Sequence, residues 1–178
     1  MAEVNEEIIE QYLKIVKKWF YVTDITFKVP NNYSNIDILA MDVKEKKFYD
    51  IEVKYRSEYT LSEKNKQGKD ISENSVKFLI DQLLKHKSRD SKIAEYTNGT
   101  CPVRVLVTTK NMLGKSNAKR VKMENTIKKL MENRNQEIEI WYFDDIIPEL
   151  FEKIDAKGKY TTQLLQTIRL IKRHVTTS

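Results

Sequence analysis

The sequence has few of the residues that build disulfide-bonded scaffolds or zinc sites. Cys101 is its one cysteine, and only two histidines, His86 and His174, occur among the 178 residues. An intrachain disulfide is therefore excluded, and there is no Cys and His spacing typical of a bound zinc ion. We expect Cys101 to be a small residue beside a strand and both histidines to lie at the surface.

Long apolar runs are also missing. No stretch approaches the roughly 18 consecutive apolar residues of a membrane-spanning helix, and the acidic first residues lack the basic and apolar regions of a secretory signal peptide. Apolar residues make up 40% of the chain and charged residues 33%, which is typical of soluble globular proteins and excludes a disordered or fibrous chain. We expect one compact domain, residues 1–178, in the cytoplasm.

The net charge of the chain is positive, with 32 Lys and Arg residues against 26 Asp and Glu residues. A formal net charge of +6 and a pI near 9.2 favour polyanionic partners, because Lys and Arg side chains bound at phosphates release condensed counterions. Many basic proteins never contact nucleic acid, so the net charge does not decide the function. Only a specific site in the sequence can indicate it.

The spacing of apolar residues predicts an α/β organisation. Three- and four-residue steps such as Ile9, Leu13 and Val16 predict helices, whereas two-residue alternation and short apolar runs predict strands. These elements specify a mixed central sheet with helices on both faces. In chain order the predicted elements are a helix at 3–20, strands at 22–29, 36–43 and 47–55, a polar loop at 56–74, a helix at 76–96, a strand at 103–109, a helix at 117–133, a strand at 138–143, and helices at 148–154 and 160–174.

One acid-x-lysine pattern stands out by its position in a strand. Glu52 and Lys54 alternate with Ile51, Val53 and Tyr55, which places the acid and the lysine together on one face. The bare pattern is weak evidence, because it recurs in predicted turns, loops and helices of this highly charged chain. The other matches are Asp42 with Lys44, Glu45 with Lys47, Asp90 with Lys92, and Asp155 with Lys157.

Asp37 is predicted to lie beside this pair, because the connection between its strand and the next folds back. Hard divalent cations prefer oxygen ligands, so Asp37, Glu52 and the carbonyl of Val53 are candidate ligands for Mg²⁺ or Mn²⁺. Lys54 is then a candidate catalytic cation that orients water or stabilises phosphate charge. A structural ion pair is the alternative for the same side chains. Asp50 shares the face of Glu52 and is either a further metal contact or a solvated acid.

On these residues the sequence resembles the PD-(D/E)XK nuclease superfamily. The restriction endonuclease-like core of that superfamily runs helix, three strands, helix, strand, with its signature on the second and third strands. Residues 3–109 follow that order, and 110–178 form a C-terminal helix-strand-helix extension. Asp37 falls on the first acid of the signature, and Glu52 and Lys54 fall on its (D/E)-x-K element. Ile36 stands where the signature has proline.

The resemblance implies further site residues. In archaeal Holliday-junction resolvase-like members a glutamate precedes the apolar stripe of the first helix, and Glu6 occupies that place, with Glu10 as the alternative. An acid in the first turn of a helix is also ordinary dipole complementation. Many nuclease families of this type place a glutamine on the helix after the motif, and Gln82 is similar. Resolvase-like relatives also imply a homodimer.

The resulting hypothesis is a Mg²⁺- or Mn²⁺-dependent endonuclease or exonuclease that hydrolyses DNA, with branched and single-stranded DNA among the substrates considered. The alternative is a non-cleaving nucleic-acid-binding or assembly protein on a nuclease-like scaffold, in which Lys54 pairs with Glu52 for stability. Solvated charge is the alternative for the basic side chains that could follow a phosphate backbone. These candidate nucleic-acid contacts are Arg56, Lys64, Lys66, Lys69, Lys115 and Lys119.

Overall fold

A computed structural model describes residues 4–55 and 87–175 of the chain. The α/β class is confirmed, and the described helices and strands follow the predicted order except for one short additional helix at Lys110–Leu113. The elements are α1 (Val4–Tyr12, continued by a π-helical turn at Leu13–Lys17), β1 (Phe20–Val29), β2 (Asn32–Asp42), β3 (Lys47–Val53), α2 (Lys87–Thr97), β4 (Val103–Thr108), α3 (Lys110–Leu113), α4 (Asn117–Glu132), β5 (Ile138–Tyr142), α5 (Phe143–Lys153) and α6 (Gln163–Val175).

The strands form one mixed five-stranded sheet in the order β1-β2-β3-β4-β5. The first three strands are an antiparallel meander, whereas β4 runs parallel to both β3 and β5. Parallel neighbours require a crossover connection, and helices lie in both crossovers, α2 before β4 and α3 with α4 before β5. The predicted mixed sheet is confirmed.

Helices cover both faces of the sheet. On the first face, α1, α5 and α6 pack over β2, β3 and β4, with Ile9, Ile38 and Ile51 fully buried at the centre. On the second face, α4 packs over β4 and β5 around Ile127, and α2 packs over β1 and β2 through Ile93. Burial of each such side chain stabilises the fold by roughly 1.5 to 3 kcal/mol.

The β1–β2 hairpin changes face in the middle. In a regular strand Ile36 and Ile38 would share one face, yet Ile38 packs on the first face and Ile36 packs on the second. Thr23 is paired with Ile38 and Ile25 with Ile36, while Asp24 between them has a left-handed backbone (φ 53°). Asp37 therefore lies at the point where the hairpin switches from one face to the other.

Several predicted boundaries are wrong, for local reasons. The first helical segment ends at Lys17 and not at residue 20, because Lys18 adopts a left-handed conformation (φ 58°) that terminates it; Phe20 then opens β1 and is 73% exposed. Thr109 is not in β4: its side chain caps α3 by accepting a hydrogen bond from the Met112 N–H. Phe143 begins α5 instead of ending β5.

Other expectations are met or fall outside the described residues. Cys101 lies just before β4, beside a strand as expected, and is exposed; His174 is exposed, as expected. None of the helices in residues 4–55 and 87–175 combines the length and the apolar character that a bilayer-spanning segment needs. The predicted loop at 56–74, the first part of the helix predicted at 76–96, and His86 lie outside the described residues.

Candidate functional site

The site is built where β2 and β3 lie side by side. Ile38 pairs with Ile51 in the antiparallel ladder, so the next residue back along β2, Asp37, lies beside the end of β3. The Asp37 Oδ2 atom accepts a hydrogen bond of 2.8 Å from the Val53 backbone N–H. The hairpin therefore brings Asp37 to the strand that carries the acid-x-lysine pattern.

Glu52 and Lys54 lie together, as the two-residue alternation predicts. Ile51 is fully buried on the first face of the sheet, whereas the Glu52 and Lys54 side chains meet with 2.6 Å between Lys54 Nζ and Glu52 Oε1. Lys54 is one residue past the end of β3, but its N–H still bonds to the Val107 carbonyl at 2.9 Å. The backbone of Lys54 is thus fixed against β4.

Burial and neighbouring charges change the acid–base behaviour of the site. Burial and then the nearby Glu52 carboxylate raise the pKa of Asp37 from 3.8 to about 6, although the Val53 hydrogen bond and Lys54 oppose the rise. Burial disfavours the Lys54 ammonium, but Glu52 and Asp37 outweigh it, and the pKa of Lys54 is raised. The site therefore favours a bound positive charge.

The first helix delivers one acid to this site. Glu6, in the first turn of α1, is half-buried, and its charge is among the causes that raise the pKa of Asp37. Glu10 instead hydrogen-bonds Tyr21, and its pKa is raised by burial and by Glu7 and Glu6. Of the two candidate glutamates, Glu6 is the one whose charge acts on Asp37.

Sequence reasoning missed a group of buried charges behind Glu52. Asp50 is neither solvated nor open to a metal, because it is only 1% exposed. Arg89 of α2 donates two hydrogen bonds to its carboxylate, from Nε to Oδ2 at 3.0 Å and from Nη2 to Oδ1 at 2.7 Å. Arg104 of β4, which lies opposite Asp50 in the parallel ladder, pairs with both Asp50 and Asp90. A cation in an otherwise apolar strand, Arg104, was the signal available in the sequence.

Arg89 also reaches Glu52. Its Nη2 atom is 3.0 Å from Glu52 Oε2. That oxygen is buried and accepts no well-aligned hydrogen bond from the described residues, so the contact is electrostatic. Glu52 therefore has Lys54 at one carboxylate oxygen and Arg89 at the other.

The residues present are compatible with one hard divalent ion. Asp37 and Glu52 are carboxylates on adjacent strands, and carboxylate oxygens are the ligands that a hard divalent ion prefers. In the part of the chain that is described, no set of three or more His, Cys, Asp or Glu side chains is arranged for a metal. An ion here would take two side-chain ligands and complete its shell with a backbone carbonyl, for which Val53 is the candidate, and with water.

The remaining candidates lie elsewhere. Lys115 and Lys119 are exposed at the start of α4, the helix that covers β4 and β5 on the second face. Gln82 and four of the candidate nucleic-acid contacts lie outside the described residues: Arg56, Lys64, Lys66 and Lys69.

Comparison with known proteins adds one structural likeness. Neither a family model nor a curated protein matches the sequence. Among solved structures, the chain is similar to the crystal structure at 1.60 Å resolution of an XisH family protein from Nostoc punctiforme, with 13% sequence identity, 81% of this chain and 94% of that chain covered, and a TM-score of 0.48. The likeness concerns the general course of the chain.

Proposed function

We propose that the protein is a metal-dependent nuclease of the PD-(D/E)XK type that hydrolyses DNA. The observation that carries the proposal is the meeting of Asp37, Glu52 and Lys54 at the junction of β2 and β3, with Glu6 acting on Asp37 from α1. Two acids and a lysine meet there, and a third acid acts on Asp37 through its charge although α1, β2 and β3 are separate elements. Their order along the chain is the one expected for this superfamily.

Each residue has a proposed role. Asp37, Glu52 and the carbonyl of Val53 would hold Mg²⁺ or Mn²⁺, which when bound neutralises phosphate charge and acidifies a water molecule. Lys54 would orient the attacking water or stabilise the charge that develops on the phosphate. Glu6 would hold water on the α1 side of the site.

DNA is the proposed substrate because of the positive charge of the chain. The formal net charge is +6, and exposed lysines such as Lys115 and Lys119 are suited to phosphate contacts that position a nucleic acid without reading its sequence. Gln82 remains a proposed catalytic residue and Arg56, Lys64, Lys66 and Lys69 remain proposed DNA contacts, and a homodimer would present two such sites. Among relatives, the Holliday-junction resolvase-like nucleases remain the proposed resemblance.

A cleavage assay tests the proposal. The purified full chain is incubated with duplex, single-stranded and four-way-junction DNA in Mg²⁺, in Mn²⁺ and in EDTA. We expect cleavage of at least one substrate that needs the divalent ion, and a loss of about a hundredfold or more in rate for Asp37→Asn and Lys54→Met. Absence of metal-dependent cleavage on all three substrates would sink the enzyme proposal.

The chain provides its own matched controls. Glu45 and Lys47 form the same acid-x-lysine pattern in the hairpin that joins β2 to β3, where both side chains are exposed. Glu45→Gln and Lys47→Met should cleave as well as the wild type, because their charges are solvated. Equal losses in these variants and in Lys54→Met would show that the pattern has no special role at Glu52.

A second function is favoured by one observation. Both carboxylate oxygens of Glu52 already face cations, Lys54 and Arg89, as a purely structural ion network requires. On that basis the protein would bind nucleic acid or act in assembly without cutting. Salt-sensitive DNA binding, together with no calorimetric signal for Mg²⁺ or Mn²⁺, would favour this second function.

A further inference from the structure

The two oxygens of Glu52 contact cations that differ strongly in solvent exposure. Oε1 contacts Lys54 Nζ at 2.6 Å, and Oε2 contacts Arg89 Nη2 at 3.0 Å. The Lys54 side chain is 37% exposed, whereas the Arg89 side chain is 3% exposed. The two ion pairs therefore face different solvent environments.

Arg89 is fixed by contacts that do not involve Glu52. Its guanidinium makes two parallel hydrogen bonds to the carboxylate of Asp50, at 3.0 and 2.7 Å, and Asp50 is held in turn by Arg104. Bidentate pairing of this kind defines both the position and the plane of the guanidinium. Moving Arg89 away from Oε2 would remove one of the two guanidinium groups that pair with the buried Asp50 carboxylate, which is costly.

Lys54 is held differently. Its ammonium contacts the Glu52 side chain from a flexible four-carbon stem that is partly open to solvent. An ammonium on such a stem can turn toward water, which solvates the ammonium itself, while Arg89 remains beside the buried Glu52 carboxylate. Oε1 is thus the Glu52 oxygen that can change its partner.

We propose that Lys54 and Arg89 have different roles at the two carboxylate oxygens of Glu52. Arg89 is a positioning residue that stays on Oε2 and fixes the carboxylate, while Lys54 is an exchangeable cation that must leave Oε1 before that oxygen can bind a divalent ion. Lys54 therefore lowers the metal affinity of the DNA-free protein, and its release places a free ammonium beside the metal. This inference rests on the proposed metal site and concerns its regulation.

Mn²⁺ binding to the full chain without DNA tests the division of roles. Calorimetry and the electron paramagnetic resonance spectrum of bound Mn²⁺ are recorded for the wild type and for Lys54→Met, with Lys54→Gln as a second neutral variant. We expect both variants to bind Mn²⁺ about tenfold more tightly, because a competing unit charge a few ångströms away has been removed. The gain should shrink at high salt, which screens the partly exposed ammonium. Lys47→Met removes an exposed lysine at the other end of β3 and should leave the affinity unchanged.

Arg89→Lys tests the positioning role, because it keeps the charge and loses the two-pronged contact with Asp50. We expect affinity for Mn²⁺ to fall about fivefold and the resonance lines of bound Mn²⁺ to broaden, because Glu52 is no longer held in one orientation. An unchanged spectrum and affinity would overturn the role of Arg89. A merely structural arginine would lower the melting temperature without changing that spectrum.

The outcomes separate the inference from the proposed function. Mn²⁺ binding to the wild type with equal affinity in Lys54→Met and Lys54→Gln would overturn the exchange and leave the metal site standing. Lack of Mn²⁺ binding by the wild type and by every variant would overturn the metal site, and the exchange with it. Binding that appears only when Lys54 is neutralised would support the exchange.

Discussion

Replacing Asp37 with asparagine tests the electrostatics of the metal-free site. Burial and the Glu52 charge raise the pKa of Asp37 from 3.8 to about 6. A carboxyl whose folded-state pKa is raised favours folding while it is protonated, and that stability is lost as the pH rises through the folded-state value. Asparagine keeps an oxygen that can accept the Val53 N–H, and it carries no charge.

The expected gain follows from the size of the pKa change. A rise of about two pKa units costs the folded wild type about 3 kcal/mol at pH 8 and about 1 kcal/mol at pH 4.5, where the folded protein is already protonated at Asp37. The attraction of Lys54 for the Asp37 carboxylate is already included in that pKa. We expect Asp37→Asn to be more stable than the wild type by about 3 kcal/mol at pH 8 and by about 1 kcal/mol at pH 4.5, a difference of about 4 to 8 °C in the gain in melting temperature between the two pH values.

Thermal unfolding followed by circular dichroism, in EDTA at both pH values, measures the effect. Asp24→Asn is the matched control, because Asp24 is exposed on the same hairpin and asparagine tolerates its left-handed backbone. The control should melt like the wild type at either pH. If Asp37→Asn is destabilised equally at pH 8 and pH 4.5, the account of crowded charge is refuted.

Three further predictions concern other parts of the molecule. Arg104→Met removes one of the guanidinium groups on buried Asp50 and should cost about 3 kcal/mol, measured by urea denaturation. Gly114→Ala should cost about 1 to 3 kcal/mol in the same assay, because the new methyl group would lie 2.8 Å from the Arg120 backbone nitrogen. Mn²⁺ affinity should fall about tenfold for each pH unit below about 6, since a proton on Asp37 competes with the metal; a flat calorimetric profile from pH 7 to 5 would exclude Asp37 as a ligand.

The candidate site was predictable where it depends on contacts within one hairpin. Alternation in β3 placed Glu52 and Lys54 together, and the short connection to β2 placed Asp37 beside them; the described hairpin has that arrangement. Both inferences need only the two-residue period of a strand and the reversal of an antiparallel turn. The order of helices and strands was predictable for the same reason, since each element has its own periodicity.

The remainder depends on partners that are distant in sequence. Arg89 is 39 residues from Asp50, and its contact is fixed by how α2 packs on the sheet, which periodicity does not determine. The pairing of Asp50 with Arg104 needs the register of the parallel β3–β4 ladder. The end of the first helix was missed because a lysine, Lys18, adopts the left-handed conformation that glycine usually marks.

The buried Asp50 has a consequence for the order of folding. The β2–β3 hairpin is local and can form early, but it carries an acid that is costly to bury before its two arginines arrive from α2 and β4. Until α2 and β4 dock, Asp50 stays in contact with water and the second face of the hairpin stays uncovered. Burial of Asp50 against α2 and β4 therefore couples the antiparallel strands β1, β2 and β3 to the parallel strands β4 and β5. We expect these two parts of the sheet to fold and unfold in a single cooperative step.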